Sequence, residues 1–265
     1  MKQLILAAVL ATGLAGAAHA DDALKTAIAS KDRTPANVAR DSARHPYETL
    51  SFFGIRPDMT VVELVPGGGW YTEILAPYLR DKGTLILAAD SPSSPDEGAK
   101  KAAARLTGKL ETNPGMYGKV KRGVFEVPRE YNFAPANSVD MVLTFRNIHN
   151  WTGEGDAKVQ EIFKSVHTAL KKGGIFGVVD HRAPAAKPVD SNSGYLHQAE
   201  VIKMIEKAGF KLVAKSDINA NPKDTADHPK GVWTLPPVLA LKDVDREKYM
   251  AIGESDRMTL KFVKK

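Results

Sequence analysis

The sequence predicts an α/β fold: a mostly parallel sheet of seven strands with helices covering both faces. Three observations predict it. Short apolar runs alternate along the chain with segments of helical period. A glycine triplet, Gly67 to Gly69, follows the first apolar run directly, as a strand-to-helix turn would. The second run ends in an acid, Asp90, at the sheet edge where such folds receive ligands.

The elements follow in order. Residues 21–58 read as a polar helical segment in which Asp41, Arg44, His45 and Glu48 mix with Leu50, Phe52 and Phe53. Thr60 to Val65 is the first strand, and residues 70–80 are helical in pattern, with Pro77 expected to kink them. Gly83 to Ala89 is the second strand, residues 97–110 a polar helix, and Val120 to Glu126 a third strand despite Lys121 and Arg122. Ser138 to Phe145 is the fourth. Val159, Ile162, Phe163, Val166 and Leu170 then mark one helix face, which Lys172, Gly173 and Gly174 stop. Ile175 to Val179 is the fifth strand, residues 198–208 a helix ended by Gly209, and Phe210 to Ala214 and Met258 to Val263 the last two strands. Between those two, residues 219–256 form a long connection crowded with Asn and Pro, a length usual for functional or mobile segments.

The first twenty residues stand apart. Lys2 precedes an uncharged Ala/Leu run from Leu4 to Ala18, and Ala18, His19 and Ala20 read as a cleavage site before Asp21. This is the pattern of a secretory signal, so the expected organisation is a signal peptide at 1–20, a helical segment at 21–58 and a domain at 59–265 carrying the 219–256 insertion. The protein is expected to be exported, periplasmic in a Gram-negative cell and secreted otherwise, with no stable membrane anchor after cleavage.

Composition narrows the chemistry. Of 265 residues, 43% are apolar and 26% charged, which is ordinary globular usage and not that of a disordered or polytopic chain. The absence of cysteine excludes disulfides, thiolate metal sites, iron–sulfur clusters and a cysteine nucleophile. The formal charge of +6 is spread among acids with no dense basic stripe, so no nucleic-acid partner is expected. No His pair has the H-E-x-x-H spacing, so no metal site is expected either.

The glycine turn reads in two ways. It is either a simple turn or a place where a ligand lies against bare backbone at a helix start. It matches neither the dinucleotide G-x-G-x-x-G pattern nor the phosphate loop. Asp90 likewise reads as a receiver of ribose hydroxyls or as a helix cap.

On these residues the chain resembles the class I S-adenosylmethionine-dependent methyltransferases, specifically a secreted group of predicted methyltransferases. The resemblance is carried by Val61 to Thr72, Asp90, Arg146 to Trp151, Asp180 to Arg182 and Asp256 to Phe262. It implies a Rossmann-like methyltransferase fold whose last strand runs antiparallel. It further implies S-adenosylmethionine as cofactor, with Glu63 and the backbone of Gly67, Gly68 and Gly69 holding its methionine part. Asp90 would take the ribose, Glu126 would lie near the adenine amine, and Asn147 would begin the segment lining the methyl group. Where the family pattern has its first glycine, this chain has Val65, followed by Pro66.

Methyl transfer needs an aligned acceptor, a pocket poor in water and often a base. His149, on the polar loop after the fourth strand, reads as that base or as a satisfied loop histidine. Asp180 and His181 form a second candidate pair, although neighbours in a strand point to opposite faces. Tyr195 and His197 are weaker candidates, and Arg44 with His45 is a candidate to close over the cofactor. Trp70, Trp151 and Trp233 read as packing residues or as stacking platforms. Residues 219–256 are expected to shape the acceptor pocket as a lid through Trp233 and His228. The expected function is methyl transfer to a small-molecule acceptor; the alternative is a non-catalytic exported binding module on the same fold.

Overall fold

A computed structural model describes residues 22–265; the signal peptide expected at 1–20 lies outside the described residues. Seven strands form one sheet. They are β1 (Thr60–Leu64), β2 (Thr84–Ala89), β3 (Lys121–Val124), β4 (Val139–Phe145), β5 (Leu170–His181), β6 (Phe210–Ser216) and β7 (Arg257–Lys264). Their order is β3-β2-β1-β4-β5-β7-β6. The first five run parallel, while β7 is antiparallel to both β5 and β6. This is the sheet that the sequence predicts, including its antiparallel last strand.

Alternation along the strands builds a core on each face. Val62 and Leu64 of β1, Ile86 and Ala88 of β2 and Val142 of β4 face one way. There they meet Val159, Ile162, Phe163 and Val166 of helix Asp156–Ala169, and Val201 and Ile205 of helix Gln198–Lys207. Val61, Leu85, Leu87, Met141 and Leu143 face the other way. They pack on Leu50 and Phe53 of helix Pro46–Phe53, and on Ile74, Leu75 and Leu79 of helix Thr72–Leu79, which contains Pro77.

Several strand boundaries differ from the sequence reading, among them those of β5 and β3. β5 begins at Leu170, ahead of Lys171 to Gly174, because Leu170 is already extended and pairs with Val139. The register against β4 shifts just beyond that pair, and Gly173 takes φ 76°. β3 ends at Val124, and Glu126 lies past it in an isolated bridge with Glu130.

The N-terminal segment is helical at residues 22–28, Pro35–Val38, Asp41–Arg44 and Pro46–Phe53. It is tied to the helix that follows the glycine turn, Thr72–Leu79. Glu73 accepts from Thr34 Oγ1 at 2.7 Å, from Thr34 N at 3.0 Å and from Lys109 Nζ at 2.7 Å. The long connection before β7 is also held by its polar residues. Asn219 Nδ2 donates to Thr49 Oγ1 and Thr259 Oγ1, and Asn221 Nδ2 to the carbonyls of Ile252 and Glu254. Buried Asp224 accepts from Tyr195 Oη at 2.9 Å and from the Asp256 amide at 2.8 Å, with His228 Nε2 at 2.8 Å. Among the described residues, no helix is long and apolar enough to cross a membrane.

Candidate active site

Strand order reverses between β1 and β4, so the chains leaving their carboxyl ends part and open a crevice. Asn147 braces it, its Nδ2 donating to the Leu64 carbonyl at the end of β1 and to Thr144 Oγ1 of β4. A cavity of about 310 Å³ lies here. One wall is the glycine turn, with Val65, Gly67 and Gly68. The opposite wall is the loop after β4 and the end of β5, with Arg146, Asn147, His149 and His181. Asn37, Arg40 and Arg44 of the N-terminal segment close a further side, while Trp233 and Glu254 come from the long connection.

The glycine turn is built for close approach. Gly67 and Gly69 adopt φ 56° and 77°, which glycine takes at no steric cost. A side chain at Gly67 or Gly68 would meet open space, whereas at Gly69 it would collide with the aliphatic part of Lys109. Val65 sits at φ 47°, a conformation strained for a β-branched residue, at the position where the methyltransferase pattern has glycine.

Three acids stand at or just past the ends of β1, β2 and β3. Glu63 is buried on the cavity wall, where Thr72 Oγ1 donates to its Oε2 at 2.6 Å. Burial raises its pKa to about 8 against the opposing effects of Thr72 and Lys109. A carboxylate costly to ionise beside a cavity fits a cationic ligand group, as an α-ammonium is. Asp90 is half-buried after β2 and makes no hydrogen bond or ion pair among the described residues; burial, Glu126 and Asp96 raise its pKa. Asp96, not Asp90, caps helix Glu97–Glu111, accepting from Ala99 N at 2.8 Å. Asp90 is therefore free to accept from a ligand hydroxyl. Glu126 is engaged by Ser91 N, Ser94 Oγ and Arg129, so it shapes the β2–β3 end of the crevice while already holding protein donors.

His149 and Asp180 form a dyad. His149 Nδ1 lies 2.8 Å from Asp180 Oδ1, and a carboxylate only accepts, so Nδ1 carries a proton, which in the neutral tautomer leaves the lone pair on Nε2. Asp180 is fully buried, and its position is set by two backbone donors. Oδ2 accepts from Ile148 N, an open N–H at the start of the short helix Ile148–Trp151, and Oδ1 also accepts from His181 N. The alternation rule expected Asp180 and His181 to face apart. Asp180 does turn to His149 instead of the His181 ring, yet the two rings stand 4.9 Å apart because His181 ends its strand.

His181 Nδ1 lies 2.6 Å from Ser255 Oγ, and burial with His149 and Arg146 nearby keeps its pKa well below the ordinary value. His181 is therefore neutral. Side-chain ligand atoms of His149, Asp180 and His181 lie within 4.8 Å of one another, but the Asp180 oxygens are committed to three protein donors. The cluster reads as an oriented imidazole pair.

The other sequence candidates divide between this cavity and the rest of the molecule. Tyr195 is buried against Asp224, and His197 Nε2 meets the Lys187 carbonyl. His228 belongs to the Asp224 cluster and lines a second cavity of about 720 Å³, while Trp233 lines both cavities. Trp151 packs in the core against Phe125 and Phe163. Trp70 lines the first cavity, with the guanidiniums of Arg33 and Arg44 at 5.3 and 4.8 Å from its ring. Arg44 reaches the cavity, whereas His45 is not among its lining residues.

Sequence reading missed Arg40, Arg146 and Glu254. The Arg40/Arg44 spacing of four was the one available signal, since it sets both on one helical side. Glu254 accepts from Arg40 Nε at 2.6 Å, Arg257 Nη1 at 3.0 Å and Arg44 Nε at 3.3 Å. Burial would raise its pKa, but Arg44, Arg257 and Arg40 hold it at about 2.

No protein-family model matches the chain, and no curated protein matches it in sequence. Solved structures do match in fold. A S-adenosylmethionine-dependent methyltransferase from Aquifex aeolicus superposes with a TM-score of 0.55 at 15% identity, covering 91% of this chain and 97% of its own. The [4+2]-cyclase SpnF gives 0.56 at 14% identity, covering 94% of each chain. A possible exported protein from Bordetella parapertussis gives 0.50 at 16% identity, covering 92% of this chain and 79% of its own. The chain has the Rossmann-like fold of the class I S-adenosylmethionine-dependent methyltransferases.

Proposed function

We propose that this protein is an S-adenosylmethionine-dependent methyltransferase acting on a small-molecule acceptor. The observation that carries this reading is the pairing of walls across one crevice: bare glycine backbone and buried Glu63 on one side, Asp180-oriented His149 on the other. Glu63, Gly67, Gly68 and Asn147 line the cavity that would receive the methionine part, and Asp90, beyond those walls, is the unpaired acceptor suited to the ribose.

When bound, S-adenosylmethionine supplies a methyl group that passes to an acceptor lone pair as the carbon–sulfur bond breaks and its electrons stay on sulfur. His149 Nε2 takes the proton that the acceptor loses, and Asp180 stabilises the resulting imidazolium. His181, held neutral, adds no competing positive charge beside it. Phe145, stacked on Tyr71 at 3.5 Å, and Trp233 exclude water from the same crevice.

Calorimetric titration with S-adenosylmethionine tests the reading. Saturable binding is expected, and no heat at millimolar ligand would sink it. Export is part of the proposal, supported by the N-terminal signal pattern; a possible exported protein from Bordetella parapertussis shares the fold. Mass spectrometry of the protein from its own cell should find a chain starting at Asp21; an intact Met1 terminus in the cytoplasm would refute export.

A further inference from the structure

The cavity holds more positive charge than methyl transfer requires. Arg40, Arg44 and Arg146 all line it, and Arg257 stands behind them on Glu254. Glu254 is the one carboxylate this group shares among the described residues. Arg146 is the least compensated. Its guanidinium makes no hydrogen bond or ion pair among the described residues, and its backbone sits at φ 63°, an unusual conformation for a residue with a side chain. Burial and the nearby Arg257 lower its pKa to about 10, so it stays charged at neutral pH.

The donors of the other two are also incompletely used. Arg44 is 2% exposed and spends Nε on Glu254, while its Nη2 is buried without a partner. Arg40 shows the same pattern, with Nε on Glu254 and Nη2 buried and unpaired. A buried guanidinium donor without an acceptor is costly, and three incompletely paired guanidinium side chains lining one cavity define a place for oxygen-rich negative charge. The cofactor brings one carboxylate together with an α-ammonium and a sulfonium, so its net charge is positive and an arginine excess persists with it bound.

We propose, resting on the methyltransferase reading, that the methyl acceptor is an anionic small molecule whose carboxylate or phosphate group is received by Arg146 together with Arg40 and Arg44. The cavity places this anion handle beside His149, so the same molecule presents its nucleophile to the Asp180-oriented imidazole. Arg146 is then a specificity-determining residue: it selects acceptors by charge and leaves the proton transfer to His149.

The test titrates inorganic phosphate and, separately, succinate into the full-length mature protein, with and without saturating S-adenosylhomocysteine. At least one anion is expected to bind in both conditions, and the better of the two identifies phosphate or carboxylate as the handle. Arg146→Gln should weaken that binding about tenfold or more, with Arg146→Lys intermediate because it keeps charge but loses the planar fork. The thermal unfolding midpoint of each variant reports whether the fold is kept, and an Arg40→Gln variant provides a second probe if Arg146→Gln does not fold.

Loss of anion binding when S-adenosylhomocysteine is present would assign the arginines to the cofactor carboxylate and overturn the proposal. So would anion binding that ignores both substitutions, or no anion binding at millimolar concentration while S-adenosylhomocysteine still binds. Anion binding without any S-adenosylhomocysteine binding would instead refute the methyltransferase reading and leave an anion-binding cavity.

Discussion

Asp180 Oδ1 stands 2.8 Å from His149 Nδ1, and this contact joins the end of β5 to the loop after β4. It fixes the imidazole tautomer and leaves Nε2 to the cavity. His149→Ala should lower methyl transfer by a factor of about 10² to 10⁴ while cofactor affinity changes little. The measurement is S-adenosylhomocysteine release under saturating cofactor, with cofactor affinity taken from calorimetry. Equal losses in turnover and affinity would make His149 a binding residue.

Asp90 has no hydrogen-bond or ion-pair partner among the described residues, so its removal exposes no orphaned donor there and the fold should survive. Asp90→Ala should weaken S-adenosylmethionine binding about 10- to 100-fold, the range for a charged acceptor losing its ligand hydroxyls. An affinity equal to that of the parent protein would move the ribose elsewhere.

Glu63 links binding to pH. Its pKa of about 8 in the free protein means that it is mostly protonated at neutral pH. A ligand cation beside it favours the carboxylate, so binding expels a proton. Affinity should rise with pH, by up to about tenfold per unit, and level off above about 8. Titrations at neutral pH in two buffers of different ionisation enthalpy should give different heats, and Glu63→Gln should abolish the difference. Identical heats for the parent protein would place the ligand cation away from Glu63.

Glu254 should be a determinant of acid stability. Its pKa falls from 4.5 to about 2 in the fold, where burial is outweighed by Arg44, Arg257 and Arg40. The sign is that of a depressed acid: the stabilisation is complete above about 4.5 and is lost as pH drops through about 2. Glu254→Gln should cost about 3–5 kcal/mol at neutral pH, because it leaves buried guanidiniums without their counter-ion. Thermal unfolding across acidic and neutral pH measures this, and a variant as stable as the parent would show that solvent already compensates the arginines.

The sheet was legible because its strands are buried on both faces. Runs such as Thr60 to Val65 and Gly83 to Ala89 have no alternative to the interior, and the period of Val159 to Val166 admits only a helix. Boundaries were less so. Leu170 joins β5 and not the preceding helix because Val139 lies opposite it, a tertiary fact. The glycine turn and Asp90 were readable as ligand-facing since strand ends and turns follow from local pattern, and the structure removes the helix-cap alternative for Asp90 by giving that role to Asp96.

The chemistry of the second wall depended on contacts between distant residues. His149 and Asp180 are far apart in sequence, and adjacency pointed to the wrong partner, His181. Arg40, Arg44, Arg146 and Glu254 come from three separate segments, and scattered arginines look like a solvated surface until the chain folds. His228 and Tyr195 meet at Asp224 in a buried cluster beside the second cavity, a contact that sequence spacing does not announce. By itself the sequence determined the sheet, the glycine turn and the acid after β2, since each follows from local periodicity or a single backbone requirement. Only the tertiary structure decided the imidazole's partner and the arginine cluster, because charge pairing depends on distance in space and burial, neither of which is written in sequence spacing.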